Sequence, residues 1–144
     1  MKFLNSWQIF ALASALFAGL TALFGKIGVA NVNSNLATLI RVGVILVLTV
    51  LIVASTHQWQ RPQTITTKTW IFLILSGITT ALSWLCYYRA LQLGPVSKVA
   101  SIDKLSLAIA ILLGILILGE KLSWQALLGG GMIIIGSILV AIFG

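Results

Sequence analysis

The sequence predicts an all-α membrane protein of five transmembrane helices, and three observations carry that expectation. Hydrophobic residues make up 60% of the 144 and charged residues 8%, where a soluble domain averages about 25% charged. The apolar residues gather into five runs of about 20, the length that crosses a bilayer core. Trp7, Trp59, Trp70 and Trp124 fall at or beside the ends of those runs, where an interfacial aromatic belt places them. The runs lack the alternating segments of about 10 residues that a membrane barrel needs, which leaves helices.

Taken in order, the first span covers 6–24. Lys2 followed by an apolar run has the look of a signal peptide, but four more spans follow, so the run is expected to stay as a helix. Ala11, Ala15, Ala18, Ala22 and Gly25 set a stripe of small residues along one face, a surface for close helix approach in lipid. The second span, 35–54, carries Arg41 about 9 Å along its length. The third, 70–91, holds Trp84 about 21 Å from its start, inside the hydrocarbon. Leu93-Gly94-Pro95 then forms a tight hairpin, since Gly ends one helix and Pro readily starts the next. The fourth span, 96–118, contains Asp103 and Lys104. The fifth, 124–143, has Ala126 and Gly130 at a four-residue spacing, with Gly129, Gly131 and Gly136 nearby.

Length and uniform composition indicate a single domain over residues 1–144. Nine basic residues against two acidic ones and a pI near 10.2 raise the question of nucleic acid. The bases are spread along the chain with no face that collects phosphates, so no nucleic-acid partner is expected. Cys86 is the single cysteine and excludes an intramolecular disulfide. His57 has no second His, Cys or carboxylate at ligand spacing, so no metal and no cofactor are expected. No nucleophile, base and orienting group occur together, and no catalytic residue is assigned. Glu120, at a connection, reads as a solvated loop charge.

Five spans put the termini on opposite sides. The N-terminal side counts Lys2, Arg61, Lys68 and Lys121, and the other side Lys26, Arg89 and Lys98. Four against three gives almost no orientation signal under the positive-inside rule. Two readings stand: N-terminus in the cytoplasm with Arg89 snorkelling, or the same chain inserting both ways.

Charges inside the membrane mark the place where function is expected, because each costs about 2.5–3.5 kcal/mol at a helix centre. Asp103 and Lys104 lie about 11–12 Å from Val96. At 100° per residue, Ser97, Ser101 and Lys104 form one polar stripe while Asp103 points about 100° from Lys104. Lys104 is then a cavity residue, and Asp103 an ion-coupling group or the structural partner of a base. Arg41 either anchors substrate, snorkels to the headgroups or forms a fixed salt bridge with Asp103. A carboxylate beside fixed positive charge suits a salt bridge better than a proton relay. On the third helix Thr80, Trp84, Tyr87 and Tyr88 share a face, with Trp84 the better candidate for contact with a solute. Tyr87 and Tyr88 read first as belt aromatics. The candidate substrate-binding set is Lys104, Trp84, Ser101, Arg41 and Tyr88.

More specific than hydropathy is the stretch Tyr87-Tyr88-Arg89-Ala90-Leu91-Gln92, Gly94-Pro95-Val96-Ser97-Lys98-Val99-Ala100, Ile102-Asp103-Lys104-Leu105-Ser106 and Leu118-Gly119-Glu120-Lys121-Leu122. It resembles the second half of an EamA domain of the drug/metabolite transporter superfamily. Leu128–Val140, rich in Gly and Ile, is similar to that domain's last helix, and Arg41 stands where such domains often carry an Arg. Most members carry two such domains in inverted repeat, whereas this chain has one. Some single-domain members carry Pro where this chain has Ser101, so the resemblance does not by itself imply a helix break there.

The resemblance implies half of an inverted-repeat transporter fold, completed by dimerisation. It implies secondary transport of small metabolites or drugs, often outward, across a bacterial inner membrane. Inverted-repeat transporters hold substrate at the midplane between halves, so one domain would need an oppositely inserted copy. Expected partners are the lipid bilayer, a small-molecule substrate and a second copy, antiparallel in the dual-insertion case. An electropositive lining favours a carboxylate-bearing or zwitterionic solute, and Asp103 leaves room for an organic cation. The alternative from another class is a non-transporting membrane subunit that stabilises or regulates a partner.

Overall fold

The computed structural model describes residues 6–144, so Lys2, counted above for orientation, lies outside the described residues. Those residues are helical or in short connections, with no strand among them. The helices are α1 (Ser6–Gly28), α2 (Ser34–Ser55), α3 (Thr67–Leu93), α4 (Val96–Asp103), α5 (Ser106–Leu118) and α6 (Trp124–Phe143). Together α4 and α5 make one span, so five segments are long and apolar enough to cross a membrane. Large apolar side chains are exposed along each of these segments, as expected of a surface that meets lipid rather than water.

Local chemistry sets the helix ends. Asn33 caps α2 by accepting the Asn35 amide at 2.9 Å. At the other end, the His57 amide donates to Ala54 and the Gln58 amide to Val53. That is a Schellman closure, and it holds His57 in the left-handed region at φ 54°. Thr66 accepts the Thr69 amide at 3.3 Å. This cap starts α3 at Thr67 rather than at Trp70, so Trp70 lies one turn inside the helix. The hairpin at Gly94-Pro95 forms as its residues suggest, with Pro95 extended (φ −69°, ψ 147°) directly before α4. Ser123 caps α6 by accepting the Ala126 amide at 3.2 Å.

The fourth span is not one regular helix. At Lys104 and Leu105 the backbone tightens: the Leu105 amide donates to Ile102, Leu107 to Lys104 and Ala108 to Leu105. These are three-residue rather than four-residue bonds, the 3₁₀ pattern. The span keeps its expected bounds of 96–118, with this tightened turn inside it. No proline is involved. The interruption falls where Asp103, Lys104 and Ser106 end the polar half of the span, before the apolar run of α5.

Two compact units make up the chain. One comprises the N-terminal segment to Lys26 together with Leu93–Gly144. In it α6 packs on α4 and α5, and Gly130 permits the approach, since a Cβ there would stand 3.0 Å from Ile111 Cδ1. Of the small-residue pair on α6, Gly130 is buried and Ala126 is exposed. On α1, Ala22 and Gly25 are buried while Ala11, Ala15 and Ala18 are exposed. The Lys26 ammonium donates to the Gly94 carbonyl at 2.9 Å.

The other unit is Ile27–Gln92. Val29 and Leu91 are fully buried in the structure, with Tyr88, Ser34 and Thr38 nearly so. Gln92 ties its two ends together. Its amide donates to the carbonyls of Val29 at 3.2 Å and Val32 at 2.7 Å, while its oxygen accepts from Arg89 at 3.0 Å. The Arg89 contact fixes which end of the amide is the donor. Arg89 thus orients Gln92 while its side chain stays exposed.

Candidate substrate-binding site

Arg41 is the centre of the best-defined polar cluster within the membrane span. On α2, Ser34, Thr38 and Arg41 recur at intervals of four and three residues and so share one face. Ser34 and Thr38 are buried, and the Thr38 hydroxyl donates to the Ser34 carbonyl at 2.9 Å, which satisfies it without leaving the helix. One turn further on, Arg41 is half-buried. On α3, Trp84 and Tyr88 are four residues apart, one ring above the other along the same face.

The guanidinium carbon of Arg41 lies 4.0 Å from the centre of the Trp84 ring and 5.4 Å from that of Tyr88. Both are within cation–π range. Each such contact contributes about 0.5–2 kcal/mol, depending on how dry the site is. Two of them offset much of the roughly 2.5–3.5 kcal/mol insertion cost of an Arg. Among the described residues no carboxylate pairs with Arg41. The aromatic rings compensate its charge while its N–H donors, which lie in the guanidinium plane, remain able to bind an anion bidentately.

Tyr88 is therefore not a belt aromatic. It is 6% exposed and holds the guanidinium from the same face as Trp84. Tyr87 is half-buried, and Thr80 is exposed.

The other predicted site residues lie in the other unit. Asp103 closes α4 and Lys104 begins the tightened turn. The Lys104 ammonium is 3.9 Å from Asp103 Oδ2, with 57% and 42% of the two side chains exposed. Helical geometry alone assigned the two charges to different neighbours. In the structure the flexible Lys104 stem folds back and the two pair with each other. Among the described residues this is the only ion pair of Asp103. Ser101 is half-buried and Ser97 exposed. Exposed pairs of this kind are weak, so Lys104 is easily released to another anion.

Three contributors were not singled out by sequence reasoning. Ser34 and Thr38 extend the Arg41 face toward the helix start, a signal available in their spacing from Arg41. Gln92 stood in the quoted motif, but its partners Val29 and Val32 are about 60 residues away, and no local pattern links them.

These features occur on a chain whose sequence matches the EamA-like transporter family over residues 5–142. The chain belongs to that family. It is 53% identical over 139 residues to a Sinorhizobium protein described as an uncharacterized transporter in the cobO 3′ region, covering 96% of this chain and 99% of that relative. No solved structure matches. This EamA-family chain is thus a multi-pass membrane protein of transporter type. The alignment thus covers nearly the whole of both chains. The EamA match also spans the tightened turn at Lys104–Leu105, which places that irregularity inside the family domain.

Proposed function

We propose that this protein is a secondary transporter that exports small metabolites or drugs across a bacterial inner membrane. Its substrate is held near the midplane between two antiparallel copies. The Arg41 cluster is the observation that carries this proposal: a membrane-embedded guanidinium oriented by Trp84 and Tyr88, with no carboxylate partner among the described residues. A site of that chemistry suits a carboxylate-bearing or zwitterionic solute. An organic cation is less suited, because the Arg41 guanidinium at the centre of the cluster would repel it. Lys104 and Ser101 remain proposed contacts on the tightened fourth span. Discontinuous helices at mid-membrane are where many secondary transporters bind their solutes.

The test is flux in proteoliposomes containing the purified protein alone, with a panel of amino acids, organic anions and organic cations. Carboxylate-bearing solutes are expected to move, and Arg41→Lys to reduce their transport about tenfold or more, since an ammonium lacks the bidentate fork. Asp103→Asn should leave that transport largely intact. Collapse of cation flux in Asp103→Asn, with Arg41→Lys unaffected, would reverse the substrate assignment. Absence of flux for every solute, with a stable complex to another membrane protein, would instead favour a non-transporting subunit.

A further inference from the structure

The end of α5 carries a feature that the Arg41 site does not use. Gly119 closes the helix at φ 68°, a conformation that glycine adopts without strain. The amides of Gly119 and Glu120 both donate to the carbonyl of Gly114, at 3.1 Å for Glu120. This fork turns the chain back along α5. The Glu120 carboxylate comes to rest on Gly114, one turn inside the helix end, where a Cβ would stand 2.9 Å from Oε2. Glycine leaves room for it, whereas a Cβ would make the carboxylate shift. Glu120 is exposed at its connection, as expected, yet its carboxylate has a definite resting place. It is seated in a glycine notch.

Around the notch is an open groove of about 440 Å³ lined by Ala110, Ile111, Leu113, Ile117 and Leu122. Glu120 is the one charged residue on its wall, and among the described residues it has no ion pair. A carboxylate against apolar surface at the edge of the hydrocarbon calls for a cation. The groove beside it calls for an alkyl chain. Lys121, exposed one residue on, adds a positive charge next to the negative one. An ammonium, a phosphate and an acyl chain would match Glu120, Lys121 and the groove in turn.

We propose that this groove is a binding site for a phospholipid with a primary ammonium headgroup. The ammonium donates to the Glu120 carboxylate, the phosphate lies toward Lys121, and an acyl chain follows α5 past Ile117 and Leu113. An anionic lipid lacks the ammonium, and a quaternary headgroup has no N–H to donate. Both should bind less well. The site is independent of the transport proposal, because its occupancy is read without any solute.

Native mass spectrometry of the full-length protein, released from micelles with equal phosphatidylethanolamine, phosphatidylglycerol and phosphatidylcholine, tests it. The ethanolamine lipid should be retained about tenfold more than either of the others, the weight of one charge-assisted hydrogen bond. Glu120→Gln should abolish that preference, and so should Gly114→Ala, which displaces the carboxylate without removing it. Unchanged circular dichroism in Glu120→Gln separates this loss from unfolding. Equal retention of the three lipids by the wild type, or an undiminished preference in Glu120→Gln, would overturn the proposal. Displacement by chain-free glycerophosphoethanolamine at matched concentration would overturn the role of the groove.

Discussion

Arg41 shows how a single side chain is made tolerable inside a membrane. Its charge is not cancelled by an acid but spread over two ring faces, at 4.0 and 5.4 Å. Trp84→Ala removes the nearer face. It should lower the stability of the detergent-solubilised protein by about 1–2 kcal/mol, with Trp84→Phe intermediate, as read from thermal unfolding followed by circular dichroism. His57 provides a contrasting case outside the span. It occupies the left-handed position that closes α2 (φ 54°), where a β-carbon costs about 1 kcal/mol. His57→Gly should therefore raise the melting temperature, while His57→Val should lower it. Arg41 was legible in the sequence as a costly charge, and Trp84 as an aromatic too deep for the interfacial belt. Tyr88 was named beside them through the face it shares with Trp84, although its position near a helix end also fits a belt residue.

At the scale of elements, caps and clasps decide where helices stop. Gln92 satisfies two loop carbonyls at once and is itself oriented by Arg89. Gln92→Leu leaves both carbonyls without that donor and should cost about 1–3 kcal/mol, measurable as a lower melting temperature and faster proteolysis of the 29–33 loop. The α5–α6 contact at Gly130 is graded by size. Ile111 Cδ1 is the end of a flexible side chain, so Gly130→Ala should be nearly neutral. Gly130→Leu overpacks the contact and should cost about 1–3 kcal/mol in the same thermal assay. Span lengths and the Gly94-Pro95 hairpin were readable from hydropathy and turn chemistry. The tightened turn at Lys104–Leu105 was not: no Pro or Gly marks it, and its three-residue hydrogen bonds are a choice among backbone partners that hydropathy does not rank.

For the whole molecule, the open question is orientation. Lys26 donates to Gly94 and Arg89 to Gln92, so two of the three bases on one side also hold the chain together. The near balance of loop charge therefore does not itself choose a direction of insertion. The antiparallel pair proposed above expects a tag at either terminus to be accessible from both faces of the membrane in comparable amounts. It also expects crosslinked dimers to contain oppositely tagged chains. Protease protection showing one orientation for every chain would sink that arrangement and require a parallel or heteromeric assembly.

Composition and the spacing of its apolar runs determined that the chain belongs in a bilayer, with five segments able to cross it, because a span must be long, apolar and internally hydrogen-bonded whatever its neighbours are. The motif from Tyr87 to Leu122 was sufficient to indicate the family. Which intramembrane charges meet which partners was decided only by tertiary structure. A helical wheel gives the direction in which a side chain leaves the axis, but not how a long flexible stem bends afterwards. Lys104 thus returned to Asp103, Arg41 found Trp84 and Tyr88, and Glu120 folded onto Gly114. The first pairing depends on how a flexible stem bends, and the other two on atoms brought together by distant segments or a chain reversal, and those distances are not written in local spacing.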